Sequence, residues 1–454
     1  MPPLLAQSET SATPESKWRL TGVGSCTAAG CHGAGHPDRI PKSEYNIWIS
    51  QDRHARAYSI LYDERSQRMT QLLSRLSNEP TPPAPQNPRC LACHSMTYAL
   101  PLDPRVDVLS DGVGCEACHG PAEGWLAVHS EHRLSSQEKR QLGMWDTDRL
   151  LVRTQICVRC HVGSPNHDVN HDLIAAGHPR LRFEMTSFSG MMPKHWDENQ
   201  DRARHPNFDA QLWAVGQAAT SQAALAQLAS RAERGTNWPE FAEWSCAACH
   251  HDLRGDETRQ SRLAERGGLS GRHIAWDPWN YYAARSFAPE INQAFGLGEA
   301  SASKIQSGLR HLDDPMQTLN PDRRKVGLAA RQTSEDAGAW AAAMERASLD
   351  RPSLDQLTQS IVARQAADGV YDWQTAAQLY DALASLHQSR LQLAAENAAL
   401  RTAADDRITA ALTQFYGALS SKDPAHTRDE LDSDTIHKKF MELQQLLAPE
   451  RAAP

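Results

Sequence analysis

The stretch GCEACHG, residues 114–120, contains two cysteines separated by two residues, and a histidine follows the second cysteine at once. The same order recurs in RCLACHS (89–95), ICVRCHV (156–162) and SCAACHH (245–251). Residues three and four apart lie on one face of a helical turn, so each motif can present both thiols and the imidazole to one ligand. Given the chain's own content of cysteine and histidine, roughly 0.01 chance matches are expected along its length. The four motifs therefore predict four copies of one kind of binding site.

Covalent attachment of heme c is the chemistry that this spacing serves. Two thiols bond to the two vinyl groups of one porphyrin, and the adjacent histidine becomes the proximal ligand of its iron. A disulfide scaffold would be shorter, and a structural zinc site would pair Cys-x-x-Cys with a second such pair or with two histidines. The predicted thioether cysteines are Cys90, Cys93, Cys115, Cys118, Cys157, Cys160, Cys246 and Cys249, and the predicted proximal ligands are His94, His119, His161 and His250.

A fifth motif, CTAAGCH at residues 26–32, has four residues between its cysteines instead of two. Its loop must bulge to bring both sulfurs to one ring, and the Ala, Ala and Gly at residues 28–30 are small enough to permit this. A disulfide or an isolated pair of metal ligands is the alternative. The shared order of residues favours a fifth heme c, with Cys26 and Cys31 as its thioether cysteines and His32 as its proximal ligand.

Each iron also has a sixth coordination position, for which further histidines are candidates. Fifteen of the twenty histidines lie outside the motifs, and eleven of these precede residue 285. A filled sixth position suits electron transfer, whereas an open position permits substrate binding. Five distal ligands are predicted, without an assignment to particular hemes: His54, His129, His171, His178 and His195.

Local sequence supports these candidates in different ways. His54 lies in EYNIWISQDRHARAYSIL (44–61), where apolar residues share its face if the stretch is one helix. His129 follows a tryptophan by one turn and has His132 as a rival. Glycine and proline on either side of His178 should end any helix there. Surface or supporting roles are expected for the remaining histidines of this region, which are His36, His167, His205, His251 and His273.

Composition limits the classes of function. The chain has 454 residues, a mean hydropathy of -0.58, a formal net charge of -8 and only 6% aromatic residues, so hemes could supply part of its apolar volume. The negative charge makes nonspecific binding to nucleic acid improbable and suits redox partner proteins with basic patches, other cytochromes among them. No apolar stretch approaches the length of a membrane span, so no transmembrane segment is expected.

From Ser25 to about Trp279, the sequence around the motifs resembles that of the cytochrome c-554-like family of bacterial multiheme cytochromes. The resemblance implies a mainly α fold with little regular sheet, hemes in close pairs, mainly bis-histidine ligation and electron transfer outside the cytoplasm. The chain departs from the tetraheme namesake in its five sites and its long C-terminal extension, so the namesake's electron donor is not carried over. The stretches that carry the resemblance are SCTAAGCHG, EYNIWISQDRHARAY, CLACHS, DGVGCEACHGPAEGW, CVRCHVGSP, VNHDLIAAGHPRLRFEM, PKHW and WPEFAEWSCAACHHDL.

Three regions are expected along the chain. Residues 1–20 form a flexible tail that could be the remnant of a signal peptide, residues 21–285 form a pentaheme domain, and residues 286–454 form a helical domain. An Ala-rich helix is expected between the fourth and fifth motifs. Apolar residues at helical spacing in the last region predict core faces, and those helices could also mediate oligomerisation. These residues are Leu379, Leu383, Leu386, Ile408, Leu412, Phe415, Leu419, Ile436, Phe440, Leu443 and Leu447, while His311, His387, His426 and His437 are expected to face solvent.

Two classes of function fit these features. The first is an electron carrier in which histidine closes every iron, and it is more consistent with the surplus of histidines. The second is an oxidoreductase with one open iron that acts on a small nitrogen or sulfur compound, for which Arg180, Arg182, Lys194 and His195 could hold an anion. Heme c attachment requires thiol chemistry outside the reducing cytoplasm, so a periplasmic or otherwise exported protein is expected.

Overall fold

The computed structural model describes residues 17–447 with the exception of 34, 36–41, 78–79, 97–107, 132, 166, 235–237, 246–275, 278, 319, 369–372, 398–399, 401 and 421–432. The described residues are mainly helical and contain no regular strand, which confirms the expected mainly α fold. Two isolated bridges, Ser164 with His167 and Trp244 with Trp276, are the sheet-like pairings within these ranges.

The first nine helices are short, and the later ones are longer. They are α1 (Glu44–Gln51), α2 (Glu64–Ser77), α3 (Pro88–His94), α4 (Cys115–His119), α5 (Ser136–Gln141), α6 (Leu150–His161), α7 (His171–Ala175), α8 (Met185–Met191), α9 (Glu198–Arg204), α10 (Phe208–Arg234), α11 (Tyr282–Ala294), α12 (Glu299–Met316), α13 (Arg323–Arg346), α14 (Arg351–Asp368), α15 (Trp373–Glu396), α16 (Ala403–Leu419) and α17 (Ser433–Leu447). Within the described ranges, every helix is too short or too polar to cross a lipid bilayer.

The residues form two compact units, each with more contacts within itself than with the other. The first comprises Met1–Ile156 and Pro193–Trp196, and the second comprises Cys157–Met192 and Asp197–Pro454. The domain boundaries expected after residues 20 and 285 remain predictions.

The first unit has a small apolar core for the number of its residues. Leu20, Val23, Trp48, Met96 and Val108 form its buried cluster, and the thiol-bearing helix α4 packs against it through Cys115 and Ala117.

Helix α10 organises the second unit. It packs against α8, α11, α13 and α15, and Leu212, Trp213, Leu225 and Leu228 are fully buried along it. The predicted Ala-rich helix is confirmed here. Small side chains on α10 let neighbouring backbones approach closely, as where Gly216 faces the Cβ atom of Met185.

The apolar stripes predicted near the C-terminus are core faces. All of the eleven stripe residues are at most 9% exposed, and they lie on α15, α16 and α17. Apolar residues recur every three or four positions, so one side of each helix is buried against its neighbours.

The expectation that His387 faces solvent is wrong. Its side chain is buried on α15, and its Nε2 atom is 2.8 Å from the Thr409 hydroxyl on α16. This polar side chain can lie in a helix interface because a hydroxyl group on the adjacent helix forms a hydrogen bond with it. His311 is exposed on α12 as expected, and His437 is half-buried on α17. His426 lies outside the described residues.

A buried charge network joins α14, α15 and α16. The Asp405 side chain is fully buried and accepts from Arg351 Nη2 at 3.4 Å and from Arg390 Nη2 at 3.2 Å. The half-exposed Asp355 binds the same two arginines at 3.1 and 3.2 Å. The positive charges of the two arginines balance the negative charges of the two carboxylates. Charged groups can be buried only when they are paired in this way.

Candidate heme-binding site

The second and third motifs each form the helical turn that their spacing predicts. Helix α3 begins after Asn87, whose side chain accepts from the Arg89 amide at 3.0 Å, and it ends at His94. Helix α4 consists of the motif itself, from Cys115 to His119. Both cysteines of each motif are half-buried on the same turn.

The first motif forms a compact turn instead of a helix. The Cys31 amide donates to the carbonyl of Ala28 at 2.8 Å, and the Gly33 amide donates to the same oxygen at 3.3 Å. Residues 28–30 are exposed, so the two extra residues project outward. The predicted bulge is therefore present.

Helix α1 fixes this turn from one side. The Tyr45 amide donates to the carbonyl of His32 at 3.1 Å, and the Asn46 side chain donates to the carbonyls of Gly33 and Gly35. The start of a helix holds the backbone of the proximal histidine.

A carboxylate faces the His32 ring. The Nδ1 atom of His32 lies 3.0 Å from Oε2 of Glu44, the first residue of α1. This hydrogen bond raises the pKa of His32 above its usual value, although burial acts in the opposite direction. Burial alone would raise the pKa of Glu44, but the bond with His32 and the backbone donors outweigh it, so that pKa is lowered.

His129 lies beside His32. Its amide donates to the Trp125 carbonyl at 2.9 Å, so it follows that tryptophan by one turn as predicted, and its Nδ1 donates to the carbonyl of Leu126 at 2.8 Å. The ring centroids of His32 and His129 are 6.1 Å apart, with 22° between their planes. The rival His132 lies outside the described residues.

His119 and His195 form a second pair of rings. Their centroids are 6.3 Å apart, with 78° between the planes. Burial lowers the pKa of His119 to about 4 and also lowers the pKa of His195, where a bond to the Pro193 carbonyl partly opposes it. Both imidazoles are therefore neutral at physiological pH, which is the form that ligates a metal.

The first and third motifs are neighbours in the first unit. Interaction between the thiols of Cys26 and Cys115 lowers the pKa of the Cys26 thiol and raises that of Cys115. His32, His129 and His195 are all close enough to His119 to act on its charge.

His54 lies at a break in the chain that the predicted continuous helix did not anticipate. Helix α1 ends at Gln51, and the Asp52 carboxylate accepts from the His54 amide at 3.0 Å and from its Nδ1 at 2.9 Å. An aspartate that can cap the next turn competes with helix continuation. Sequence periodicity suggested one helix, whereas the structure has α1 followed by two single 3-10 turns, Arg53–Arg56 and Ser59–Tyr62.

His94, the predicted proximal histidine of the second motif, is hydrogen-bonded to the chain close to this break. Its Nδ1 donates to the carbonyl of Ala57 at 2.8 Å. Burial lowers the pKa of His94, although this bond opposes the shift.

The fourth motif forms the last turn of helix α6, at the point in the sequence where the second unit begins. The amides of Val162 and Gly163 both donate to the Val158 carbonyl, and Gly163 has a positive φ of 108° that ends the helix. The His161 ring stacks on Phe183 at 5.6 Å and meets the edge of Phe188 at 4.8 Å.

In the same unit, His171 is the first residue of the short helix α7, and His178 follows the end of that helix. The His171 amide donates to Glu240 Oε1 at 2.8 Å, and its ring meets the edge of Phe241. Helix α7 ends before Gly177, as predicted, and His178 Nδ1 donates to the carbonyl of Pro179 at 2.8 Å.

The fifth motif, with Cys246, Cys249 and His250, lies outside the described residues, as do His36, His251 and His273.

Glu116 was not anticipated from the sequence. Although it lies inside the third motif, its side chain is fully buried and accepts from the backbone amides of Thr21, Gly22 and Ala122 at 2.7 to 3.1 Å. It joins the segment that leads into the first motif to the helix of the third. Only its position inside a cysteine motif distinguished it in the sequence, and that position gave no indication of burial.

The structure describes the surroundings of the three cationic residues that were considered for an anion site. Each of them contacts a tryptophan: Arg180 donates to the Trp244 carbonyl at 2.7 Å, the Arg182 guanidinium lies 5.5 Å from the Trp373 ring centroid, and the Lys194 ammonium lies 4.8 Å from the Trp196 ring centroid.

Comparison with known proteins agrees with this geometry. Residues 25–120 match the family described as cytochrome c554 and c-prime. The matched segment contains the first three motifs and ends before His129 and His195. Neither curated proteins nor solved structures give a match to the chain.

Proposed function

We propose that this chain is an exported multiheme electron carrier with one covalently bound heme c at each of its five motifs, and the match of residues 25–120 to the cytochrome c554 and c-prime family supports this proposal. Each heme iron, when bound, takes up and releases one electron. The protein's own residues attach the group, supply its axial ligands and set its surroundings.

The two pairs of histidine rings carry this proposal. Two imidazoles that ligate one metal from opposite sides are separated by two metal–nitrogen bonds of about 2 Å and two ring radii of roughly 1.2 Å, so their centroids lie about 6 Å apart. The observed separations are 6.1 Å for His32 with His129 and 6.3 Å for His119 with His195. We therefore assign His129 as the distal ligand of the first motif and His195 as that of the third.

A hydrogen bond of its ring supports the assignment of His129, and His94 makes a bond of the same kind. A carbonyl oxygen can only accept, so Nδ1 carries the proton in His94 and in His129. The Nε2 atom of each ring then keeps its lone pair for a metal. Among the described residues, no three His, Cys, Asp or Glu side chains converge on one point. Pairs of ligands suit a metal that receives its other ligands from a porphyrin.

Passage of electrons within the first unit is supported by the contact between two motifs. The thiols of Cys26 and Cys115 are close enough to alter each other's pKa, so groups attached through these sulfurs would be neighbours. His32, His129 and His195 are also close enough to His119 to act on its charge. This arrangement favours exchange between the two groups within one folded unit.

A carrier is better supported than an enzyme with an open iron. Arg180, Arg182 and Lys194, the cations considered for an anion site, each contact a tryptophan. Two of the five proximal histidines already have a second histidine at ligation distance. Location in the periplasm follows from the oxidising chemistry of heme c attachment, which occurs outside the cytoplasm.

Electron paramagnetic resonance of the exported holoprotein tests the ligand pairs. His129→Ala is expected to convert one low-spin iron to high-spin, and added imidazole should restore the low-spin signal. His195→Ala should do the same for a different iron. His311→Ala, which changes an exposed histidine on α12, is the control and should leave the spectrum unchanged. A fully low-spin spectrum for His129→Ala would overturn the assignment.

Intact mass tests the number of hemes. The wild-type chain should carry five heme masses, and replacement of both cysteines of one motif by alanine should remove one. A variant that keeps the full number would show that its motif binds no heme.

A further inference from the structure

We propose that the carboxylate of Glu44 lowers the reduction potential of the heme at the first motif through its bond to His32. This inference rests on the proposed function, because it requires a heme at that motif. It concerns a residue that neither the motif nor the family match distinguishes.

The acceptor at His32 is of a different kind from the acceptors at the neighbouring site histidines. Glu44 Oε2 lies 3.0 Å from His32 Nδ1, whereas Nδ1 of His94 and of His129 bonds to a neutral backbone carbonyl at 2.8 Å. A charged acceptor draws the Nδ1 proton more strongly and makes the opposite nitrogen a stronger donor to the metal. Such a ligand stabilises ferric iron over ferrous iron.

The carboxylate is held in place by the start of helix α1. Its second oxygen, Oε1, accepts from the Lys42 amide at 3.1 Å, and Lys42 has a positive φ of 82°. As the first residue of the helix, Glu44 also lies at the end where backbone N–H groups favour negative charge. Both oxygens are therefore engaged, and the negative charge is stabilised where it faces the ring.

Partial exposure limits the size of the effect. The side chains of His32 and Glu44 are 41% and 21% exposed, so water screens part of the charge. Loss of a hydrogen-bonded partner of a metal ligand typically changes metal affinity or activity by about 10- to 100-fold, and the exposed setting favours the lower limit. We expect removal of the charge to shift the reduction equilibrium of one heme about tenfold toward the ferrous form, which is 59 mV for a one-electron couple.

Asp52 and His54 provide an internal comparison. Their bond is 2.9 Å long, and the Asp52 side chain is only 5% exposed, so this carboxylate is better shielded from water than Glu44. The carboxylate at His32 is thus one of two in the first unit that face a candidate ligand. Its effect must be separated from that of Asp52 by changing one residue at a time.

Potentiometric titration of the holoprotein tests the inference. Glu44→Gln keeps the shape of the side chain and removes its charge. One heme should become easier to reduce by about tenfold, while the number of hemes, the low-spin state and the other potentials stay as in the wild type. The component that belongs to the first motif is identified as the one missing from Cys26→Ala/Cys31→Ala.

Glu64→Gln is the matched control. Glu64 is the first residue of α2, as Glu44 is of α1, but it is 88% exposed and pairs with Arg68 at 3.1 Å. Removing this charge should leave every potential unchanged. Glu44→Asp keeps the charge near the ring and should retain most of the low potential, which preserves the test if Glu44→Gln folds poorly.

The outcomes separate this inference from the proposed function. If Glu44→Gln retains five hemes and the wild-type potentials, the role of Glu44 is wrong while the carrier function stands. If the shift appears equally in Glu64→Gln, it reflects general charge and the inference is also wrong. If Cys26→Ala/Cys31→Ala carries as many hemes as the wild type, the first motif binds none and both fail at this site.

Discussion

Replacement of Glu116 by glutamine should release the segment that leads into the first motif. One carboxylate oxygen accepts from the amides of Thr21 and Ala122, and the other accepts from those of Thr21 and Gly22. A glutamine presents one oxygen and one NH₂ group. Whichever way the amide turns, either Gly22 or Ala122 loses its acceptor and faces another donor.

The cost follows from the burial of these groups. The Glu116 side chain is fully buried, so a backbone amide that loses its acceptor there cannot form a hydrogen bond with water instead. An unsatisfied buried donor costs about 1–3 kcal/mol, and loss of the charge weakens the remaining bonds, so we expect a total of about 2–4 kcal/mol. At about 1.4 kcal/mol for each factor of ten, local opening of this segment should become on the order of 100-fold more frequent.

Hydrogen exchange read by mass spectrometry measures this opening directly. A global unfolding curve is less suitable, because a protein with two compact units need not unfold in one step. Peptides that contain residues 17–26 and 120–124 should lose protection in Glu116→Gln, and peptides from the second unit should not.

A nearby carboxylate provides the control for this exchange experiment. Glu123 accepts a single bond, from the exposed Arg19 amide at 3.0 Å, so Glu123→Gln should cost less than about 1 kcal/mol. Exchange in Glu116→Gln within threefold of the wild-type rate would refute the argument.

Two further predictions concern the C-terminal helices. Asp405→Asn leaves Arg351 and Arg390 without their most buried partner, and we expect a loss of about 3 kcal/mol in the free energy of unfolding of the second unit, measured by denaturant titration. Burial lowers the pKa of His387 to about 4, so the unfolded chain, with a value of about 6.5, binds a proton first as the pH falls. Stability should therefore decrease by roughly 3 kcal/mol from pH 6.5 to pH 4. In His387→Gln, which keeps a partner for Thr409, that decrease should be absent.

Exposed residues nearby serve as controls for both variants. Asp406 is exposed on α16 beside Asp405, and His311 is exposed on α12. Asp406→Asn should change stability by less than about 0.5 kcal/mol, and His311→Gln should leave the pH dependence as in the wild type. Equal losses in Asp405→Asn and Asp406→Asn would contradict the role given to the buried network, as would an unchanged pH profile in His387→Gln.

Features that depend on neighbours in sequence were predictable. The helical turns of α3 and α4 follow from the three- and four-residue spacing of their motifs. The buried faces of α16 and α17 follow from apolar residues at the same spacing. Both signals are local, because a helix brings residues of one short segment onto one side.

Features that depend on distant partners were not predictable. Nothing near His129 or His195 in the sequence identifies the motif that it faces. His387 was expected in solvent because its partner Thr409, which makes its burial tolerable, lies on another helix and could not be foreseen.

The break at Asp52 is a local feature that was also missed. It depends on a competition between capping and helix continuation, which apolar periodicity does not reveal.

The family match and the structure together separate attachment from ligation. The match ends at residue 120, so it includes the cysteines and proximal histidines of three motifs but neither His129 nor His195. In the proposed assignment, attachment would need only a turn that forms within each motif, whereas the distal ligands would require the folded first unit, which includes Pro193–Trp196 and therefore His195. Loss of the fold should therefore open the sixth position of the iron before it removes the group, since the thioether bonds are covalent and the distal bond depends on tertiary contacts.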